Sequence, residues 1–418
     1  MFEWPEELQM VRGAVRDFVD QEIRPHRDDL EHGDMPPYDL LRKLYAAFGI
    51  GAMARDSFER RIAQLRAAED GKAAPTPDDT AADDESDSPR PGFGAAMAMM
   101  PIIELCKCSP GMVTALGVSV GLTAAAIESR GTIAQRERWV PDLLTLDKIG
   151  AWAITEPGSG SDAFGAMRST ARRDGDEYLL NGSKTFITNG PYADTIVFIC
   201  KLDDGEEDPR DRKVFQFVLD ADMSGLERSK PLRKMGLHSS PTGMLFLDDV
   251  RVGRDRLLGE TEDLPVREGR DASKATFTME RTGVAAMALG IIERCLELCV
   301  PYAKERVQFG QPIGNYQLIQ LKLANMEVAR LNVENLVFRT LERSQAGKPM
   351  SLAEASALKL YAAQAAMSVT LEAVQLFGGN GYMAEYEVEQ LCRDAKVLQI
   401  YAGTDEIQVG HIARALLA

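Results

Sequence analysis

The chain has 418 residues, of which 45% are hydrophobic and 27% charged, as in soluble globular proteins of two or three domains. Its net charge of −16 argues against a nucleic-acid-binding protein, because phosphates require a broad basic face. Six cysteines and four histidines without zinc-site spacing predict no metal site and indicate buried free thiols in a reducing cytoplasm.

Residues 1–148 are predicted to form a helical domain. Amphipathic patterns cover residues 6–30 and 37–48, and helical character resumes over residues 93–146. Between them, at about residues 60–92, lies an acidic insert. Its central part, residues 71–91, has almost no large apolar side chain and cannot offset its ordering entropy, so we expect a disordered or loosely ordered loop.

One uncharged run, residues 108–127, approaches the length of a membrane span. It is rich in Gly, Ser and Thr and contains Pro110, which favours a buried helix of a large domain instead of a membrane segment. The acidic N-terminus does not resemble a signal peptide. We therefore expect a cytoplasmic protein with no membrane partner.

Residues 149–256 are predicted to form a β-domain. Short apolar runs alternate there with four turn pairs: Asp174-Gly175, Asn181-Gly182, Asn189-Gly190 and Asp204-Gly205. Asn-Gly and Asp-Gly pairs between such runs are typical of β-hairpins.

Residues 272–418 are predicted to form a helical bundle. Long helices are expected over residues 277–306 and 315–346. Ser351, with Glu354 three residues later, forms a capping box that opens a third helix, and two shorter helices flank a loop at Tyr401. The predicted fold class is therefore α+β, with an N-terminal all-α domain, a middle β-barrel or sandwich and a C-terminal four-helix bundle.

The segment WAITEPGSGSD, residues 152–162, is the first motif with chemical potential. Its glycines allow the backbone to approach a ligand closely, and its hydroxyls and N–H groups suit a polar heterocycle and phosphates. It lacks the third glycine and the βαβ context of a dinucleotide-binding fingerprint.

Six motifs in a fixed order make the chain resemble the acyl-CoA dehydrogenases. They occupy residues 152–162, 184–190, 234–236, 306–310, 375–381 and 399–408. The resemblance covers nearly the whole chain outside residues 55–92 and implies FAD as cofactor. The cofactor contacts that it implies within one subunit are Trp152, Ile154, Thr155, Gly160, Ser161, Phe186, Thr188, Thr404 and Glu406.

The resemblance also implies an oligomer. Family members usually complete each FAD site with a neighbouring subunit, through residues that match Arg306, Gln308, Phe309, Gln375, Gly378 and Gly379. A homodimer or homotetramer is therefore expected.

Ala402 departs from the pattern of many family members, which carry their catalytic glutamate at this place. Isovaleryl-CoA and long-chain acyl-CoA dehydrogenases instead place the base just before an arginine in an earlier helix. Glu280-Arg281 matches that arrangement, so the resemblance implies Glu280 as the base that removes the α-proton of an acyl-CoA, while the β-hydride passes to the flavin. The Ala402 backbone N–H would hydrogen-bond the thioester oxygen.

The implied substrate contacts are Ser161, Arg281, Tyr401 and Gly403. Thr278 stands where an Asp often contacts the substrate, and residues 54–58 replace a common family loop. The resemblance therefore does not specify the chain length or branching of the acyl group.

The implied function is dehydrogenation of an acyl-CoA to the trans-2-enoyl-CoA in fatty-acid or branched-chain-acid catabolism, with electron-transfer flavoprotein as acceptor. Two alternatives are an acyl-CoA oxidase-like or desulfinating relative and a catalytically silent FAD-binding interaction protein.

Overall fold

The computed structural model describes residues 4–69, 93–205, 208, 210–263, 266–348 and 350–418. Two helical regions flank a curled β-sheet, in the order that the sequence predicts. The helices of the first region are α1 Glu6–Phe18, α2 Arg27–Glu31, α3 Tyr38–Ala47, α4 Ile50–Glu69, α5 Phe93–Cys106, α6 Pro110–Leu116, α7 Ala125–Arg130 and α8 Ile133–Leu144.

Helix α4 corrects part of the prediction for the acidic insert, because residues 60–69 are helical. Phe58 and Ile62 lie one turn apart and bury their side chains in the same cluster as Trp139. This apolar pair holds a helix whose other residues are mostly exposed. Residues 70–92, the rest of the predicted loop, lie outside the described residues.

The helix Pro110–Arg130 is, among the described residues, the one stretch long and apolar enough to cross a membrane. It consists of α6, a π-helical stretch Gly117–Ala124 and α7. It is also 61% buried over its apolar part, and Ser119 accepts a hydrogen bond from Gly150 N at 2.9 Å. These contacts are those of the core helix that the sequence predicts.

The strands of the middle region form one sheet in the order β1-β4-β2-β3-β7-β6, with β5 also paired to β4. Their bounds are β1 Gly150–Ala153, β2 Thr170–Asp174, β3 Glu177–Thr188, β4 Thr195–Leu202, β5 Val214–Asp220, β6 Leu226–Arg228 and β7 Thr242–Gly253. In β4, Ile196 and Phe198 face the core of the sheet, whereas Val197 and Ile199 face the cluster that contains Trp139. The continuous apolar run of β4 follows from this burial on both faces.

The Asn181-Gly182 pair is not a hairpin turn, which corrects that prediction. Both residues lie inside β3, at a shift in its register with β7. Gly182 has φ 145°, and a Cβ there would collide with Ser169 Oγ. The glycine thus permits a bulge and a close approach of β3 to Ser169, the residue before β2.

The helices of the last region are α9 Val266–Glu305, α10 Gln317–Gln345, α11 Leu352–Phe377, α12 Glu387–Val397 and α13 Asp405–Leu417. A two-stranded hairpin, β8 Val307–Gln308 and β9 Gln311–Pro312, lies between α9 and α10. The Ser351–Glu354 capping box is present at the start of α11, as predicted. Residues of both helical regions, among them Leu8, Ile103 and Ile291, form one continuous core.

Candidate active site at the loop before the last helix

Helix α9 carries Glu280 and Arg281 to the loop between α12 and α13. Arg281 is only 2% exposed. Its guanidinium donates to Ala402 O at 3.2 Å and to Ser356 Oγ on α11 at 3.0 Å. The arginine therefore ties α9 to the loop and to α11 at the position next to the predicted base.

The loop itself turns through two consecutive residues with positive φ, Ala402 at 54° and Gly403 at 88°. For alanine this conformation costs roughly 1–2 kcal/mol, so it persists where the surroundings hold it. Gln408 Nε2 donates to Ala402 O at 2.9 Å and to Gly403 O at 2.7 Å, and Lys359 Nζ donates to Gly403 O at 2.9 Å. Side chains from α9, α11 and α13 thus fix the two carbonyls.

Two titratable groups lie at this loop, the half-buried Glu280 and the fully buried Lys359. Burial raises the pKa of Glu280 to about 7, while Arg281 and Lys359 act in the opposite direction. Burial also lowers the pKa of Lys359 to about 8, against the attraction of Asp405. A carboxylate with a pKa near neutrality is suited to act as a general base, because it is ionised at physiological pH and still basic.

The residues that flank Ala402 anchor the loop. Tyr401 packs against the shared helical core, and its hydroxyl contacts Met287 Sδ at 3.2 Å. Thr404 caps α13 by accepting a hydrogen bond from Ile407 N at 3.4 Å. Glu406 follows, exposed in the first turn of α13. The predicted contacts of Thr404 and Glu406 with the cofactor stay predictions.

The loop after β1 is fastened to β3. Lys184 is fully buried, and its ammonium donates to Ile154 O at 3.1 Å and to Glu156 Oε1 at 2.8 Å. Trp152 and Ile154 are buried, Thr155 is half-buried, and Gly160 and Ser161 are exposed. A Cβ at Gly160 would meet nothing within 4 Å, so the loop leaves open space beside its backbone.

Phe186 presents a bare aromatic ring, 69% exposed, at a φ of 57°. It lies at a second register shift between β3 and β7, and Thr188 is half-buried two residues later. An exposed ring beside an open glycine loop fits the planar ring system and the phosphates of FAD. When bound, the cofactor would be held by this strand and by the 155–161 loop.

The residues predicted to reach a neighbouring subunit are exposed on this one. Arg306, Gln308 and Phe309 lie at the end of α9 and in the β8–β9 hairpin, with Phe309 96% exposed. Gln375, Gly378 and Gly379 are exposed where α11 ends. This placement leaves both groups available to another subunit.

Sequence reasoning missed three residues that organise the loop: Ser356, Lys359 and Gln408. The signal for Lys359 was a single charge within a run of Ala and Leu on a helix otherwise buried on that face. Ser356 carried no such signal, because small polar residues are common on packed helices. Gln408 lies within the 399–408 motif, but the motif alone does not indicate that its side chain bonds the loop carbonyls.

Two family models match the chain, the acyl-CoA dehydrogenase middle domain over residues 151–250 and the acyl-CoA dehydrogenase C-terminal domain over residues 267–417. A relative in Megasphaera elsdenii, "Acyl-CoA dehydrogenase, short-chain specific", is 40% identical over 76% of this chain and 81% of its own length.

Solved structures agree with this match. Butyryl-CoA dehydrogenase from Megasphaera elsdenii superposes with a TM-score of 0.83 and 33% identity, covering all of both chains. A chain in the structure of the electron transferring flavoprotein of Acidaminococcus fermentans has a TM-score of 0.80 and 31% identity, covering 100% of this chain and 99% of that one. The protein therefore belongs to the acyl-CoA dehydrogenase family of FAD-dependent oxidoreductases.

Proposed function

We propose that the protein oxidises a saturated acyl-CoA to the trans-2-enoyl-CoA, with Glu280 as the catalytic base. The observation that carries the proposal is the position of Glu280. It is a half-buried carboxyl whose pKa is raised to about 7 by desolvation, and the adjacent Arg281 donates to Ala402, the residue at which many family members carry their base.

In this reaction the Glu280 carboxylate takes the α-hydrogen of the thioester as a proton. The developing negative charge on the thioester oxygen is stabilised by the Ala402 N–H, and one such donor is worth about 3–4 kcal/mol. FAD, when bound, supplies the acceptor for the β-hydride. Arg281 and Gln408 keep the loop that carries Ala402 in place through its carbonyl.

The relatives indicate the substrate class and the partner. The Megasphaera elsdenii relative is a short-chain specific acyl-CoA dehydrogenase, and the solved structure from that organism is a butyryl-CoA dehydrogenase. We extend this to a short acyl group here, with electron-transfer flavoprotein as the acceptor, a homodimer or homotetramer as the assembly and the cytoplasm as the location.

The experiment is anaerobic mixing of the purified FAD-loaded protein with short, long and branched saturated acyl-CoAs while flavin absorbance is followed. Glu280→Gln should retain FAD and lose at least about 10³-fold in the rate of flavin reduction, since the base is gone. Glu297→Gln, on the same helix but partly exposed beside Lys107, is the matched control and should bleach at the wild-type rate.

Bleaching that is equally fast in Glu280→Gln would refute the assignment of the base. Absence of bleaching by every thioester would instead favour the silent FAD-binding alternative. If the flavin is reduced but oxygen re-oxidises it within the time of one turnover, the oxidase-like alternative gains.

A further inference from the structure

Lys359 is a buried cation that the proposed reaction leaves without a role. We propose that Lys359 is a positioning residue, which holds the 401–405 loop, and with it the Ala402 amide, in the geometry needed beside Glu280. The inference rests on the function proposed above, because it concerns the same loop and the same base.

The environment of Lys359 gives the first argument. Its side chain is 0% exposed, on a face of α11 that also carries the buried Ala355, Ala362 and Ala366. Burying an ammonium costs several kcal/mol unless partners compensate for lost hydration. The contacts of its ammonium are Gly403 O at 2.9 Å and Asp405 Oδ1 at 3.6 Å, and both belong to the loop or its end.

The second argument is the conformation that the lysine helps to hold. Ala402 has φ 54°, a region that alanine leaves readily once its neighbours stop holding it. Without Lys359, Gly403 O keeps only the bond from Gln408 among the side-chain bonds described above. A loop released in this way would misplace the Ala402 N–H, and about 1 Å of misplacement costs on the order of 100-fold in rate.

The third argument is electrostatic. The charged and titratable groups that face Glu280 are Arg281 on α9, Lys359 on α11 and Tyr401 at the loop, while Asp405 faces Lys359. The cation of Lys359 favours the ionised form of Glu280. Its removal raises the pKa of the base further, so the acid limb of the pH–rate profile must move to higher pH.

The test compares the FAD-loaded wild type with Lys359→Met by two measurements. Hydrogen-exchange mass spectrometry follows residues 399–405, where the Ile400 and Tyr401 amides donate to Val397 O and the Asp405 amide donates to Gln399 O. Rapid-mixing kinetics gives flavin reduction by an acyl-CoA as a function of pH. The matched control is Lys107→Met, because Lys107 is also buried but pairs with Glu293 and Glu297 at about 20 Å from Glu280 along α9.

We expect Lys359→Met to exchange at least about 10-fold faster in residues 399–405 and to lose on the order of 100-fold in kcat with a smaller change in KM. Its acid limb should lie at higher pH, and Lys107→Met should show none of these changes. Wild-type exchange in the loop together with an unmoved acid limb would overturn the proposal.

A second variant covers the case in which Lys359→Met does not fold. Lys359→Gln keeps a donor but removes the charge, so it should restore loop protection in part and still shift the acid limb; wild-type values of both would overturn the proposal. Hydrogen exchange requires no turnover. If none of the acyl-CoAs reduces the flavin of the wild-type protein, the proposed function is refuted. The hydrogen-exchange measurement on residues 399–405 still decides the role of Lys359 in that case.

Discussion

In the proposed mechanism, Ala402 keeps a catalytic function through its backbone N–H although it lacks a catalytic side chain. Its backbone is held by Arg281 and Gln408 through its carbonyl, so the amide does not depend on what the side chain is. The missing carboxylate is available from Glu280, one residue before that arginine. The roles proposed for Glu280 and Ala402 follow from the sequence, because both halves of the exchange are visible in motifs, and they stay predictions.

The partners of that pair could not be predicted. Lys359 and Gln408 donate hydrogen bonds to backbone carbonyls of the loop. Every residue has a backbone carbonyl, so the residue types of the loop do not indicate these contacts. Such contacts depend on where α11 and α13 pack, which residue patterns do not specify. The effect of Lys359 on the pKa of Glu280 therefore follows only from the packing of α11 beside α9.

Phe186 gives a prediction at the residue scale. Its ring is largely exposed, so Phe186→Ala should change the stability of the apoprotein little. It should weaken FAD binding about 10-fold, the loss expected for one aromatic contact of about 1.5 kcal/mol. Equilibrium dialysis of FAD and thermal unfolding of the apoprotein measure the two effects. Tyr361→Ala, which removes a partly exposed ring on α11, is the control. Unchanged FAD affinity in Phe186→Ala would show that the ring does not stack on the cofactor.

Secondary-structure elements could be predicted from the sequence where a capping or turn motif had a single interpretation. Ser351 and Glu354 form the capping box that their spacing predicts, and Asp174-Gly175 joins β2 to β3. The same turn chemistry failed at Asn181-Gly182, because glycine serves a bulge as well as a turn. Helix α4 was hidden because only two of its side chains, Phe58 and Ile62, are buried.

The contact between the sheet and α12 depends on a buried carboxyl, Asp394. It accepts a hydrogen bond from Leu237 N at 2.5 Å, in the loop before β7. Burial and the nearby Glu31 raise the pKa of Asp394 to about 7, against the opposing charge of Arg393. The carboxyl is therefore more readily protonated in the folded protein than in the unfolded chain.

This sets the sign of a pH dependence at the element scale. A folded-state pKa above the unfolded value of 3.8 gives stability that is present at low pH and is lost as pH rises toward about 7. Asp394→Asn is neutral throughout, so the difference in Tm between variant and wild type should grow in favour of the variant from pH 5 to pH 8. Asp39→Asn, an exposed carboxyl on α3, is the control. A difference in Tm that does not change with pH would contradict this account.

At the scale of the whole molecule, the proposed site draws on residues that are distant in sequence. Glu280 belongs to the start of the last helical region, and Phe186 belongs to the sheet. The common core of the two helical regions, which includes both Ile103 and Ile291, fixes α9 relative to the first domain. The order of the domains could be predicted from motif order, whereas this shared core could not, because periodicity shows that a face is buried and not what buries it.

The exposed hairpin leads to the last prediction, that FAD retention depends on assembly. Phe309 is 96% exposed at a φ of 52°, with its ring near Tyr316 of the same subunit. An aromatic side chain held out from a rigid hairpin is typical of an interface anchor, whose loss costs about 2 kcal/mol or more. Phe309→Asp should therefore weaken association by about 30-fold or more and release FAD at the same protein concentrations.

Light scattering and flavin absorbance on a dilution series measure both effects. Met10→Asp, which replaces another exposed apolar side chain, on α1, is the control and should behave as the wild type. If the cofactor site is shared, the midpoint of dissociation and the midpoint of FAD loss should shift together in Phe309→Asp. A variant that dissociates but keeps its FAD would show that one subunit suffices to bind the cofactor, because only a site built from two chains makes flavin affinity depend on protein concentration.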